Sequence, residues 1–230
     1  RRWQPDAKVE LVHTWFGYIL GPDGTPFKTR AGDTIKLNDL LDEAEERAFK
    51  AVTEKNPDLD YEISREIARI VGIGAVKYAD LLPNRQTDYV FDWDKLLSLS
   101  GNTAPYLQYA CTRIRSIFRK AALNESEFLK SLGSDAENIL ELDSEFEKKL
   151  VRHLLNFGLV LESVLEDQRP NYLCNYLFEL AGHYTSFYEN CPVLKSEGST
   201  RNSRLILCSL TRQVLERGLF LLGIETPEKM

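Results

Sequence analysis

The chain has 230 residues, 43% of them hydrophobic and 28% charged, with a net charge of −6. That length can bury one large core or two modest ones, and the acidic balance excludes a globally basic nucleic-acid binder. No apolar run approaches the ~18 residues of a membrane helix, and the 4 cysteines, without CxxC spacing, exclude a disulfide scaffold.

Residues 8–20, KVELVHTWFGYIL, mix β-branched and aromatic side chains and predict a strand or strand pair. Gly21-Pro22-Asp23-Gly24 is a turn signal. Phe27-Lys28-Thr29-Arg30 then forms a loop whose cations and hydroxyl suit phosphate oxygens as well as plain solvent. Leu37, Leu40, Leu41, Ala44, Ala48 and Val52 recur at helical spacing, and Asn56-Pro57 ends that helix. Further helices are predicted over 61–71 and 74–82, then a loop with a short extended piece over 84–100. From Pro105 the chain reads as entirely helical, over about 105–122, 137–167, 171–188 and 201–222. The expected class is therefore mainly α with a small β element at the front.

Charge is distributed unevenly. No Asp or Glu lies between Leu96 and Asn124, and none between Glu197 and Glu216, whereas Glu125–Glu147 is strongly acidic with Lys130 its sole cation. Tyr106, Tyr109 and Arg113 follow i, i+3, i+7 spacing beside an apolar stripe of Leu107, Ala110, Ile114, Ile117 and Ala121. Such a face can hold an unstacked base against an aromatic and a guanidinium. It can equally pack on a neighbouring helix. Arg115, Arg119, Arg201, Arg204 and Arg212 are candidates, with Arg113, for phosphate contacts. The acidic segment is expected to lie away from any RNA face. No GxSxG, HExxH or clustered-histidine pattern is present, so no nucleophilic centre and no metal site are expected.

Four segments resemble bacterial-type arginyl-tRNA synthetases in that family's order: GPDGTPFKTRAGDTIKLNDLLDEA, VGIGAVKYADLLPNRQTDYVFDWDKLLSLSGNTAPYLQYACTRIRSI, YLFELAGHYTSFYENCPVL and RNSRLILCSLTRQVLERGLFLLGIETPEKM. The resemblance implies a class I synthetase that joins arginine to its tRNA with ATP and Mg²⁺. It implies that residues 1–100 are the end of a Rossmann catalytic domain with connecting helices, and that 101–230 are an all-α anticodon-binding domain of the DALR type. Lys28, Thr29 and Arg30 stand where the family has its KMSKS loop for the ATP phosphates. Gly101 and Asn102 belong to an Ω-shaped loop, and Tyr106, Tyr109, Arg113, Tyr188 and Met230 match positions around the anticodon bases.

The HIGH motif is absent, and the residues before Leu37 cannot build a doubly wound sheet. The N-terminus has no signal-peptide layout, and the sole methionine is Met230, so the chain is expected to start inside a longer product. It is accordingly expected to bind arginine tRNA without catalysing, in a monomeric cytoplasmic or organellar parent with no DNA or membrane partner. Two rivals are the matching part of another class I synthetase, such as that for cysteine, and a helical protein-interaction module without an RNA role.

Overall fold

Small residues on facing stripes join the first two long helices into an antiparallel pair. The computed structural model describes residues 11–21, 23–25, 36–133 and 140–230. α1 (Leu37–Lys55) buries Leu40, Ala44, Ala48 and Val52, and α2 (Tyr61–Leu81) buries Ile67, Ala68, Val71 and Ala75. Asp60 caps α2 by accepting from the backbone N–H groups of Glu62 and Ile63. The helix break expected between residues 71 and 74 is absent, and α2 runs straight through. At Gly72 an added Cβ would stand 2.6 Å from the Ala44 carbonyl oxygen. The glycine therefore serves the close crossing of α1 and α2 and not a helix end.

The strand expected over 8–20 is, among the described residues, two residues long. β1 (Ile19–Leu20) pairs in parallel with β2 (Tyr89–Val90), Ile19 opposite Tyr89. The reason is local. The Arg85 guanidinium takes the Trp15 carbonyl at 2.7 Å and the Gln168 carbonyl at 3.0 Å, while Gly17 N–H donates to the Arg85 carbonyl. Backbone groups that a longer ladder would use are committed elsewhere. α3 (Trp93–Leu96), capped by Asp92, follows β2.

The remaining helices form the main bundle: α4 (Ala104–Lys120), α5 (Glu125–Ser131), α6 (Glu145–Leu155), α7 (Phe157–Asp167), α8 (Asn171–Asn190) and α9 (Gly198–Leu221). Where one helix was expected over 137–167, α6 and α7 meet at Asn156. Its N–H reaches back to the His153 and Leu154 carbonyls, tightening the last turn of α6 and redirecting the chain. α5, unforeseen, is set by the Asn124 cap and the buried Phe128. Leu107, Ile114, Leu150, Leu177, Leu180, Leu207, Leu215 and Leu219 are fully enclosed at its centre.

Beyond α9 the chain turns back across the molecule. Lys77 Nζ donates to the Gly223 carbonyl at 2.5 Å. Gln108, with no exposed surface, donates from Nε2 to the Glu225 carbonyl at 2.8 Å and to the Ile70 carbonyl at 3.2 Å. Arg69 grips the Glu225 carboxylate with two nitrogens, and Arg115 takes the Pro227 carbonyl. Residues 223–230 thus strap the α1–α2 pair to the bundle.

Candidate nucleic-acid interface

Thr103 starts α4: its hydroxyl accepts from Tyr106 N–H and donates to the Ser98 carbonyl at 2.6 Å. Gly101, at φ +79°, makes the turn before it. The apolar stripe of α4 is buried through Leu107, Cys111, Ile114, Ile117 and Phe118. That burial leaves Tyr109 37% exposed and Arg113 exposed on the flank facing α8.

Arg113 is the centre of an aromatic cluster. Its guanidinium carbon lies 5.7 Å from the Tyr109 ring and 5.6 Å from the Tyr188 ring. Tyr188 in turn stacks at 6.1 Å on Tyr184. Tyr184 is buried with its hydroxyl against Cys208 Sγ, and burial pushes its phenol far above the ordinary range. Tyr184 is thus a neutral, fixed backing for Tyr188, and the open edge of the cluster consists of Tyr109, Arg113 and Tyr188. Two tyrosine faces and a guanidinium can stack a base and meet its polar edge.

The other sequence-identified residues are placed differently. Tyr106 packs edge-on against Phe178 at 5.8 Å, one step along the same seam. Asn102 accepts from the buried Tyr78 hydroxyl at 2.5 Å and donates to Asn175 at 3.1 Å. Gly101 and Asn102 also line a largely apolar cleft of about 800 Å³ between α2, β2 and α3. Met230 packs with Ala48, Val52, Ile67, Ala68 and Val71 of the α1–α2 pair, and no described contact joins it to the Arg113 cluster. Lys28, Thr29 and Arg30 lie outside the described residues.

The acid-poor helices are not the open cationic faces that their composition suggested. Arg204 pairs with Glu147 at 2.7 Å, and Arg212 with Glu125 at 2.8 Å and with Glu216. Arg115 pairs with Glu216 at 2.9 Å, with both side chains largely covered. Glu125 and Glu147 are the two ends of the acidic segment, and both lie against α9. The acid-free α4 is neutralised in part by Glu216 of α9, and α9 by its own Glu216 together with Glu125 and Glu147. Burial alone would raise the Glu147 pKa, but the Ser144 and Asp143 N–H groups and Arg204 hold it below the usual carboxylate range.

All four cysteines are free and buried. Burial pushes the Cys174 and Cys208 thiols up to about 12, which suits packing and not nucleophilic chemistry. Among the described residues no three His, Cys, Asp or Glu side chains converge as a metal site requires, and no helix is long and apolar enough to cross a membrane.

Residues 107–230 match the DALR anticodon binding domain, and residues 1–93 match the class I (R) tRNA synthetase catalytic domain. An arginine–tRNA ligase of Klebsiella pneumoniae subsp. pneumoniae is 52% identical over 227 residues, covering 98% of this chain. One from Proteus mirabilis is 50% identical over the same length. The chain spans 38% of the length of these relatives. Among solved structures, the Thermus thermophilus arginyl-tRNA synthetase superposes with a TM-score of 0.79 at 30% identity, over 94% of this chain and 35% of the other. The Plasmodium falciparum enzyme gives 0.76 at 30% identity, over 94% and 34%.

Proposed function

Because the chain belongs to the arginyl-tRNA synthetase family, with a DALR anticodon-binding domain over residues 107–230, we propose that it is the anticodon-reading part of an arginine–tRNA ligase. The observation that carries this is the Arg113 guanidinium set between the Tyr109 and Tyr188 rings. A splayed anticodon base, the middle cytosine that the family resemblance implies, stacks on a tyrosine while Arg113 donates to its polar edge. Gly101, Asn102 and Tyr106 extend the same face. Met230 instead packs on the α1–α2 pair, where the strap ends.

Residues 1–100 supply the end of the catalytic domain in this reading, and 101–230 the anticodon module. ATP and Mg²⁺ supply the phosphate chemistry of arginine activation in the parent ligase. Lys28, Thr29 and Arg30 are the residues proposed to meet those phosphates. With no HIGH motif, this chain does not form arginyl-adenylate in arginine-dependent ATP–pyrophosphate exchange.

Titration of the chain with an anticodon stem-loop of arginine tRNA tests the reading. Tyr109→Ala is expected to cost ~1–3 kcal/mol of binding at an unchanged melting temperature. Arg113→Ala is expected to weaken binding and to erase the preference for the middle cytosine. A helical protein-interaction module would bind no stem-loop at all, and unaltered preference in both variants would reject the assignment.

A further inference from the structure

The seam between α4 and α8 continues past Arg113 toward the start of α4. The contacts Asn102–Asn175, Tyr106–Phe178 and Arg113–Tyr188 rise together in residue number, so the two helices run side by side in one direction. Tyr106 and Arg113 are seven positions apart, about 10 Å at 1.5 Å per residue. A single base stacks with ring centroids within about 7 Å, so one base cannot serve both places.

At the far end the polar groups form a chain anchored in the core. Tyr78 is 1% exposed, and its hydroxyl donates to Asn102 Oδ1 at 2.5 Å and also faces the Cys174 carbonyl at 2.9 Å. Asn102 Nδ2 donates to Asn175 Oδ1 at 3.1 Å. Each amide oxygen is thereby used, and the exposed Asn175 is left presenting its Nδ2 hydrogens. Among the described residues nothing accepts from them. Beside it the half-buried rings of Tyr106 and Phe178 meet at 62°. An oriented amide next to an aromatic edge suits an unpaired base better than a phosphate, which would call for a cation.

We propose that Asn175 and Phe178, with Tyr106, form a second RNA subsite. It takes another unpaired nucleotide of the loop whose middle base lies at Arg113, and so it rests on the function proposed above. The base stacks on the Tyr106–Phe178 pair, and an acceptor atom on its edge takes an Asn175 amide proton. The anchored chain fixes the amide, so the subsite favours a base with an acceptor at that position.

The test is binding of the chain to an arginine tRNA anticodon stem-loop, intact and with single abasic substitutions through the loop. Asn175→Ala is expected to weaken the intact loop about 5-fold, as loss of one modest hydrogen bond does, without lowering the melting temperature. The loss should vanish when one loop position other than the middle anticodon base is abasic. Phe178→Leu, which keeps an apolar side chain on α8, should map to the same position. If Asn175→Ala acts equally on every abasic loop, it touches a phosphate and the subsite is rejected. If its effect maps to the middle base, no second subsite exists. If Asn175→Ala and Phe178→Leu do nothing while Arg113→Ala weakens binding, the subsite alone fails. If Arg113→Ala is also silent, the anticodon reading falls with it.

Discussion

The Arg204 guanidinium meets the Glu147 carboxylate at 2.7 Å, with Glu147 2% and Arg204 14% exposed. The other carboxylate oxygen accepts the Asp143 and Ser144 N–H groups at 2.9 Å. The pair ties α9 to the start of α6. Arg204→Ala strands a covered carboxylate and is expected to cost about 3–5 kcal/mol, read by chemical denaturation. Because Glu147 is held below its usual range when folded, its contribution is present above the unfolded value of 4.5 and is lost as pH falls below it. A fully folded Arg204→Ala variant with wild-type stability would show that the pair contributes nothing.

Three of the six arginines considered for phosphate contact, Arg115, Arg204 and Arg212, are occupied by carboxylates. With Arg113 on the base edge and Arg119 and Arg201 left for phosphates, the helices should release about two counterions, a log–log salt slope near −1.4 at roughly −0.7 per phosphate contact. Six free arginines would bring it to about −4. Binding of a stem-loop across a salt series separates the two, and Arg212→Ala should lower stability without changing the slope.

Gly72→Ala puts a methyl group into the α1–α2 crossing, 2.6 Å from the Ala44 carbonyl oxygen. The helices must separate, at a cost of about 1–3 kcal/mol. Thermal melting measures it. The exposed Gly182, where an added Cβ meets nothing, provides the control, and Gly182→Ala should not destabilise.

His183 packs 4.9 Å from His153, which itself stacks on Tyr176. Burial, then the His153 and Lys149 charges, lower the His183 pKa below its ordinary 6.5, against the opposing pull of Glu179. A lowered base pKa makes the folded state bind its proton later than the unfolded chain. Stability should therefore be full above about pH 6.5 and decline as pH falls through that value. Melting temperatures from pH 7 to 5 test this, and His183→Gln should flatten the decline. A slope unchanged by the substitution would assign it to other groups.

What the sequence disclosed depended on how local each cause was. The α1 stripe, the Thr103–Pro105 start of α4 and the Tyr109–Arg113 spacing follow from neighbours within a turn or two. Tyr188 joined them through family resemblance, since no local pattern announces a contact between α4 and α8. Arg204 and Arg212 misled because Glu147 and Glu125 lie far away in the chain, and charge pairing across helices leaves no periodic trace. The break expected after residue 71 is absent: a glycine that ends a helix and one, like Gly72, that lets helices touch look alike in one dimension. Asn175 and Phe178 passed unnoticed because a lone polar residue and a lone aromatic carry no signal until Asn102 and Tyr106 are laid beside them.

The strap of residues 223–230 also sets an order of events during synthesis. Gln108, Arg69 and Lys77 reach for carbonyl and carboxylate groups that do not exist until Gly223 and Glu225 have been made. Until then the buried Gln108 amide has the Ile70 carbonyl but not its second acceptor. A nascent chain stalled short of Glu225 would hold a bundle whose clasp is open, and a protease should tell it from one that carries the strap by cutting between the α1–α2 pair and α4.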